Sequence, residues 1–543
     1  MALNTIASVS RSAADANGNV YLTGSFTGTA TFGSFSLTSA GDQDVFVAKW
    51  NPTTQSFLWA QRAGGAGYDA ATTIAVWGNS IYIGGSFRSA PAAFGSLTVS
   101  NAGFLNTSDM FVAKLTDAGS SASFSWVQRA GGMGEDRGQA LAVSGTGLYV
   151  TGVFEGSAVA FGSTSLSSNG ISDIFIAKLT DAGTSAGFVW AQRMGGTSFD
   201  TPNAVVVNGA DVYVAGSVTG TVTFNSVPQT GTPFGDSGGG GGNGGEGFVV
   251  KLTDGGTAGS YTWIQRARGQ GYASVEVSAL AVEGTNVYLG GRYFITGATG
   301  PSVTFGSITL SYPAGSSNFG DIFLAKILDA GATSSFIWAQ QAQSQDSFNS
   351  INSLRVSGTS LYIAGSFSRL TGAFGNFGLS SAGGRDVFVA KLTDTGTAAG
   401  PGWAQRAGGP DDDVANDLAL TGSSLQVVGL ASAPASFGSQ VLSHPLRNVP
   451  FGFMASLTDP TITAAAAAVE AEKLALYPNP ARTTVQVAAA TATTTLTLLD
   501  ALGRPVRTAT GSMLSVQGVA AGLYVVRAAT PGQPARMARL VVE

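Results

Sequence analysis

The chain has 543 residues, no cysteine and one histidine, which excludes disulfides, thiolate nucleophiles, Cys–metal centres and His-pair metal sites. Only 11% of residues are charged and the net charge is −5, which speaks against nucleic acid or an anionic membrane surface as partner. With 76 glycines among 44% hydrophobic residues, the composition predicts many short packed strands and turns, in two or more domains or one closed repeat array.

The opening Met1-Ala2-Leu3-Asn4-Thr5 has neither a basic stretch nor an apolar core, so a signal peptide, if the protein is exported, is missing from this chain. The longest apolar run, Ala464 to Val469, falls far short of the roughly 20 residues of a spanning helix.

A period then sets in. Val20-Tyr21-Leu22-Thr23-Gly24 predicts a strand, followed by an aromatic-Gly turn at Phe32-Gly33 inside a small hairpin. Asp44-Val45-Phe46-Val47-Ala48-Lys49-Trp50 predicts a second strand, and Trp59-Ala60-Gln61-Arg62 a third. The Asp-x-Phe-x-x-Lys motif recurs from residues 109, 173, 246, 321 and 386, with a worn copy from Phe451, at steps of 64 to 75 residues. Short apolar runs such as Thr73-Ile74-Ala75-Val76 precede each Tyr strand. Four strands per period, two of them continuously apolar, predict sheets covered on both faces. The expectation is an all-β chain: a seven-bladed β-propeller of four-stranded blades followed by a small Ig-like β-sandwich.

The predicted blades are 1–64, 65–131, 132–195, 196–268, 269–342, 343–408 and 409–458 plus a closing strand. No Trp strand follows Leu457, so that strand is expected from Leu3–Ser10, with Thr461–Glu470 as the alternative. The Gly-rich run from Gly238 to Gly245 is expected as a mobile tip. Residues 459–472 read as an Ala-rich linker and 473–543 as a separate domain.

The last segment carries Tyr477-Pro478-Asn479-Pro480, Asp500 with Gly503-Arg504, Gly522 with Tyr524, and a final Arg539-Leu540-Val541-Val542-Glu543. In this order and spacing it resembles the type A C-terminal sorting domain of type IX secretion cargo. The resemblance implies export across the outer membrane, release or surface anchoring, and contact with the secretion machinery and its sortase. Residues 10–457 resemble bacterial β-propeller repeats of surface and secreted proteins, which carry no agreed activity.

Residues that recur in every period read as scaffold, including the strand aspartates and lysines, the second aspartates Asp69, Asp136, Asp200 and Asp413, and the tryptophans. The candidate ligand residues are those the repeat does not require. Asp411, Asp412, Asp413 and Asp417 form a carboxylate group that can bind Ca²⁺ or serve a glycosidase. Trp50 and Trp77 replace smaller residues and can stack on a sugar. Asp15 to Asn19 mimics part of a calcium loop but lacks its terminal Glu. His444, the sole histidine, has no nucleophile elbow beside it. The sequence therefore predicts no catalytic residue, no metal centre and no required cofactor. It predicts a secreted or surface-anchored binding, adhesion or scaffold module with a glycan or protein ligand on its loop face. The alternative is a carbohydrate-active hydrolase or lyase using Asp411–Asp417.

Overall fold

The computed structural model describes residues 7–103, 106–219, 222–224, 245–269, 273–295, 302–311, 319–342, 349–373, 377–422, 424–443, 450–459, 476–487, 490–500, 505–529 and 536–543. The chain divides into two compact units, 1–463 and 464–543.

Among the described residues, the first unit contains seven antiparallel meanders in chain order. Sheet 1 is built from Ala7–Ala14, Val20–Phe26, Asp44–Asn51 and Ser56–Gly64. Sheet 2 is built from Asp69–Trp77, Ser80–Phe87, Asp109–Asp117 and Ala122–Ala130. Sheets 3 to 6 repeat the plan from Arg137, Thr201, Ala273 and Ser350. Sheet 7 has three described strands, Val414–Thr421, Ser424–Ser432 and Pro450–Thr458.

Local chemistry explains the meander. Each turn from first to second strand carries a glycine in the left-handed region, from Gly18 (φ 80°) to Gly422 (φ 57°), a conformation that side chains with a Cβ resist. Each first strand carries a β-bulge, between Val9 and Arg11 in sheet 1 and between Ala415 and Asp417 in sheet 7. The third strands of sheets 1, 2 and 6 are buried along nearly their whole length, because a neighbouring sheet covers each face, whereas Pro450–Thr458 of sheet 7 is buried only from Phe451 to Met454.

The first strand of each sheet packs on that of the next, and the first strand of sheet 7 packs on that of sheet 1. Six apolar cores lie between consecutive sheets, and a seventh joins Val428 and Met454 of sheet 7 to Phe46, Ala48 and Trp50 of sheet 1. Side chains at the bulges tie the inner strands together. Thr72 donates to Gly138 O (2.6 Å), Asn203 to Val277 O (2.9 Å), Asn352 to Ala415 O (2.8 Å) and Asn416 to Val9 O (2.7 Å).

Among the described residues, the segments between second and third strands of sheets 2, 4, 5 and 7 reach back and extend the preceding sheet at its outer edge. Phe94 pairs with Ala63, Phe305 with Ala267 and Phe437 with Ala407. Phe94 and Phe305 are buried at these joins and Phe437 half-buried, which makes each hairpin part of the interface.

The closing strand requires a correction. Ala7–Ala14 pairs with Val20–Phe26 in the register of a first strand, Val9 opposite Gly24 as Ala71 is opposite Gly85. Residues 7–10 therefore belong to sheet 1 and supply no fourth strand to sheet 7. Residues 3–6 and 461–470, the Gly-rich run 238–244 and His444 lie outside the described residues.

In the second unit, Leu476–Tyr477, Thr484–Val487 and Met513–Ser515 form one sheet, and four strands ending in Arg536–Val542 form another. The two share a core that includes Val485, Leu496, Leu514, Val526 and Leu540.

Candidate functional site

The recurring charges come first, because the scaffold absorbs nearly all of them. Asp117 ends the third strand of sheet 2 and faces sheet 1. Its Oδ2 accepts Lys49 Nζ (2.5 Å) and Tyr21 OH (2.7 Å), and its Oδ1 accepts Trp59 Nε1 (3.0 Å) and the Gly119 N–H (3.0 Å). Asp181 repeats this with Lys114, Tyr82 and Trp126 at 2.6, 2.7 and 2.9 Å. Asp254, Asp329 and Asp394 hold the same trio from the preceding sheet. Asp459 holds Lys391 (3.0 Å) and Tyr362 (3.1 Å). Burial alone raises these carboxyls, but the Lys, Tyr and Trp hydrogen bonds outweigh it and hold Asp117, Asp181, Asp254, Asp329 and Asp394 below the ordinary value. Sequence reading missed these aspartates. Their signal is plain in hindsight: an Asp three residues after every strand Lys but Lys49, where Pro52 stands.

The strand aspartates do not pair with the lysines of their own strand. Asp44 accepts Arg62 Nη1 (2.5 Å) and the Ala40 N–H (2.8 Å), while Asp69 caps the N–H groups of Gly65, Arg88 and Ser89. The arrangement recurs in sheets 3 and 4, where a Cβ on Gly195 would lie 2.6 Å from Asp200 Oδ2 and 2.7 Å from Asp173 Oδ1. Oδ1 of Asp44, Asp109, Asp173 and Asp386 is buried without a hydrogen bond. Burial, with the neighbouring strand aspartate adding to it, pushes Asp136 up to about 7, and Asp200 and Asp413 up to about 6.

The four clustered acids of sheet 7 part company. Asp411 is half-buried in the turn. Asp412 is exposed and bound to Arg385, whose backbone N–H and guanidinium lower its carboxyl. Asp413 is buried and caps Gly409 N (2.7 Å) and Ser432 N (2.8 Å). Asp417 alone stands on the first strand. Among the described residues no three acidic or histidine side chains gather to hold a metal ion. Asp15 is engaged by Asn17 N, Asn19 and Tyr21 OH as the clasp of a tight turn. Trp77 packs beside the core between sheets 2 and 3, and Trp50 is buried edge-on against Phe57.

Asp417 lines a cavity of about 360 Å³ bounded by the first strands of all seven sheets. The strand registers put Arg11, Thr73, Ala140, Ala204, Ala279, Ser353 and Asp417 at one level, each directly after its bulge. Sheets 3, 4 and 5 present only methyl groups at this level. Sheets 6, 7 and 1 present a polar arc. Asp417 accepts Arg355 Nη2 (2.9 Å), Ser353 Oγ (2.7 Å) and Ser12 N (3.0 Å). Arg11 Nη1 donates to the carbonyls of Asn416 (2.9 Å) and Ser10 (3.2 Å), and no carboxylate pairs with it among the described residues. Arg11 and Arg355 escaped the sequence reading. Their signal was a charge inside a run that is apolar or small in the other periods.

In the second unit, Asn479 clips the first motif to the last strand, donating to Arg539 O (2.9 Å) and accepting from Val541 N (3.0 Å). Tyr477 is largely exposed, and Tyr524 OH donates to Ala520 O (2.9 Å). Pro478 and Pro480 flank Asn479, Asp500 is half-buried and Gly522 exposed, while Gly503 and Arg504 lie outside the described residues.

Comparison with known proteins identifies residues 475–543 as a secretion system C-terminal sorting domain. No curated protein matches the chain. Among solved structures, PorZ, described as an essential bacterial surface component of the type-IX secretion system of Porphyromonas gingivalis, is 13% identical over 98% of this chain and 81% of that one, at TM-score 0.18. An acylaminoacyl peptidase of Pyrococcus horikoshii is 9% identical over 80% and 52%, at TM-score 0.36. The extracellular domain of a two-component system protein of B. thetaiotaomicron is 9% identical over 100% and 98%, at TM-score 0.16. These likenesses are too slight to bear on function. The sorting domain places the protein among type IX secretion cargo, secreted or attached at the outer surface, in contact with that machinery. No helix among the described residues is long and apolar enough to cross a membrane.

Proposed function

We propose that residues 1–458 form a seven-bladed β-propeller, joined by the linker 459–472 to an Ig-like sorting sandwich at 473–543, and that the propeller is a non-catalytic binding module carried to the cell surface. Seven sheets that pack first strand on first strand, with the seventh meeting the first, support the ring. The functional reading rests on one observation, the lopsided lining of the central cavity. A closed repeat needs small residues at its crowded axis, and directly after the bulge sheets 3 to 5 supply Ala140, Ala204 and Ala279, with Asn203, Ser278 and Glu283 elsewhere on the wall. At the same level sheets 6, 7 and 1 supply Ser353, Asp417 and Arg11, Arg355 is bound to Asp417, and Arg11 has no acidic partner among the described residues.

A guanidinium in a half-enclosed cavity favours a compact anion, and neighbouring Ser and Asn groups favour hydroxyls. The ligand class that fits is an acidic sugar, held by its carboxylate at Arg11. Titration calorimetry of the full chain with galacturonate and with galactose tests this. Galacturonate should bind more tightly, and Arg11→Gln should weaken it by about tenfold or more at a temperature where the variant remains folded. Equal binding of the two sugars, or of the two proteins, would contradict the reading.

A further inference from the structure

One residue beyond the level of Thr73 and Asp417, each first strand turns a backbone N–H away from its second strand and toward the central cavity. The hairpin register requires this. Pairs that exchange hydrogen bonds alternate with pairs that do not, and counted from the closing pair of Ser144 with Gly147, Leu141 opposite Val150 is of the second kind. At three of the interfaces a side chain takes up that N–H. Leu141 N donates to Thr73 Oγ1 (3.0 Å), Leu418 N to Ser353 Oγ (3.2 Å) and Ser12 N to Asp417 Oδ2 (3.0 Å). The acceptor is each time the residue directly after the bulge of the preceding sheet.

An alanine in that position offers no acceptor. Ala140, Ala204 and Ala279 therefore leave the N–H groups of Val205, Leu280 and Leu354 facing the cavity, and no side chain among the described residues accepts from them. Arg11, itself a donor, leaves that of Ile74 in the same condition. Near Leu280 and Leu354 the carbonyls just before the bulge are already occupied, Val277 O by Asn203 and Ile351 O by Ser278. Of the two carboxylates on the wall, Asp417 is held by Arg355, and Glu283 stands at the turn end of its strand, three residues from Leu280. Sheets 4 and 5 are each three packing steps from sheet 1, one by either route, so their amides stand across the cavity from Arg11. The cavity thus carries two donor groups on opposite walls: Arg11 with the Ile74 amide, and the amides of Val205, Leu280 and Leu354.

We propose that the ligand carries two acid groups, the second held by these three backbone amides. The proposal rests on the reading of the cavity as an acidic-sugar site centred on Arg11, and it narrows the ligand class to sugar diacids. Backbone N–H groups bind a carboxylate through charge-assisted hydrogen bonds, which are stronger than those to a hydroxyl, so a negative group gains most from a wall of amides. Galactarate has this form, with a carboxylate where galacturonate has its reducing carbon.

Titration calorimetry of the full chain with both acids tests the proposal. Galactarate should bind about tenfold more tightly than galacturonate. Ala204→Ser gives sheet 4 the hydroxyl that Ser353 carries in sheet 6, which would accept from Leu280 N as Ser353 accepts from Leu418 N. It should remove most of the galactarate advantage while changing galacturonate affinity less than about twofold. Ala279→Ser should do the same through Leu354 N, and carries the test if the first variant fails to fold. Arg11→Gln should weaken both acids. If galacturonate binds but galactarate gains nothing, or if the gain survives both Ala204→Ser and Ala279→Ser, the proposal is overturned and the Arg11 site stands. If neither acid binds, the acidic-sugar reading falls, and this proposal with it.

Discussion

At the scale of single residues, the energetic weight lies on six aspartates at the ends of the third strands, Asp117, Asp181, Asp254, Asp329, Asp394 and Asp459. Each satisfies an ammonium, a phenol and, in five of the six, an indole N–H from the next-door sheet, all largely removed from water. Breaking such a buried set by removing one partner strands the others. Asp181→Asn should therefore cost about 3 kcal/mol, read from urea unfolding, whereas Asp412→Asn, at an exposed pair, should cost under about 1 kcal/mol. The two kinds of aspartate also set an acid–base profile of opposite signs. Asp117, Asp181, Asp254, Asp329 and Asp394 have carboxyls lowered in the fold, so their contribution is complete above about pH 4 and is lost as pH falls below it. Asp136, Asp200 and Asp413 are raised to about 7, 6 and 6, so their contribution is complete below about pH 4 and is lost as pH rises through those values. Melting temperature should peak near about pH 4 and decline toward neutrality, and Asp200→Asn should shrink that decline. A profile rising steadily from pH 5 to 7.5 would contradict this assignment. The sequence showed that these residues recur, and recurrence correctly marks scaffold. It could not show which carboxylate meets which lysine, because every such pair joins different sheets about 70 residues apart.

At the scale of elements, the strands were legible because hydrophobic runs, Tyr-x-x-Gly and Trp-x-Gln-Arg each mark one strand. The bulge in every first strand was not, since bulge residues as different as Thr72, Asn203 and Asn416 share only a geometry. Nor was the backward reach of the hairpins, which depends on which edge lies open in space. The bulge side chains yield a comparative prediction. Asn352→Ala and Asn416→Ala each remove one hydrogen bond to a neighbouring first strand, worth about 1 kcal/mol. Asn416 bridges sheets 7 and 1, where the Lys, Tyr and Trp grip is missing. Its loss should be the more damaging of the two in chemical denaturation, and equal costs would argue that the outer contact is intact there. Gly195→Ala should be worse than either, by about 2–3 kcal/mol, because φ at Gly195 is 139° and a Cβ would meet two carboxylates.

At the scale of the whole molecule, the sorting domain is the part whose role is plain. It was legible because its four motifs stand at fixed spacing, and the fold adds that Asn479 ties the first motif to the last strand. Removing residues 475–543 should leave the protein inside the cell envelope, as fractionation followed by immunoblotting would reveal. The proposed binding site was less legible. Asp417 stood out among clustered carboxylates, but its neighbours in sequence turn to other tasks. Its neighbours in space, Arg11 and Arg355, lie some 400 and 60 residues away, brought together only when the first strands pack around one axis. That packing, with the first strand of sheet 7 meeting that of sheet 1, is the central claim. Amide hydrogen exchange resolved along the seven first strands tests it most directly. The account predicts that Ala7–Ala14 and Val414–Thr421 are protected as well as the first strands of sheets 2 to 6, since each packs on two neighbours. Fast exchange confined to Ala7–Ala14 and Val414–Thr421, as at the ends of an open array, would contradict it.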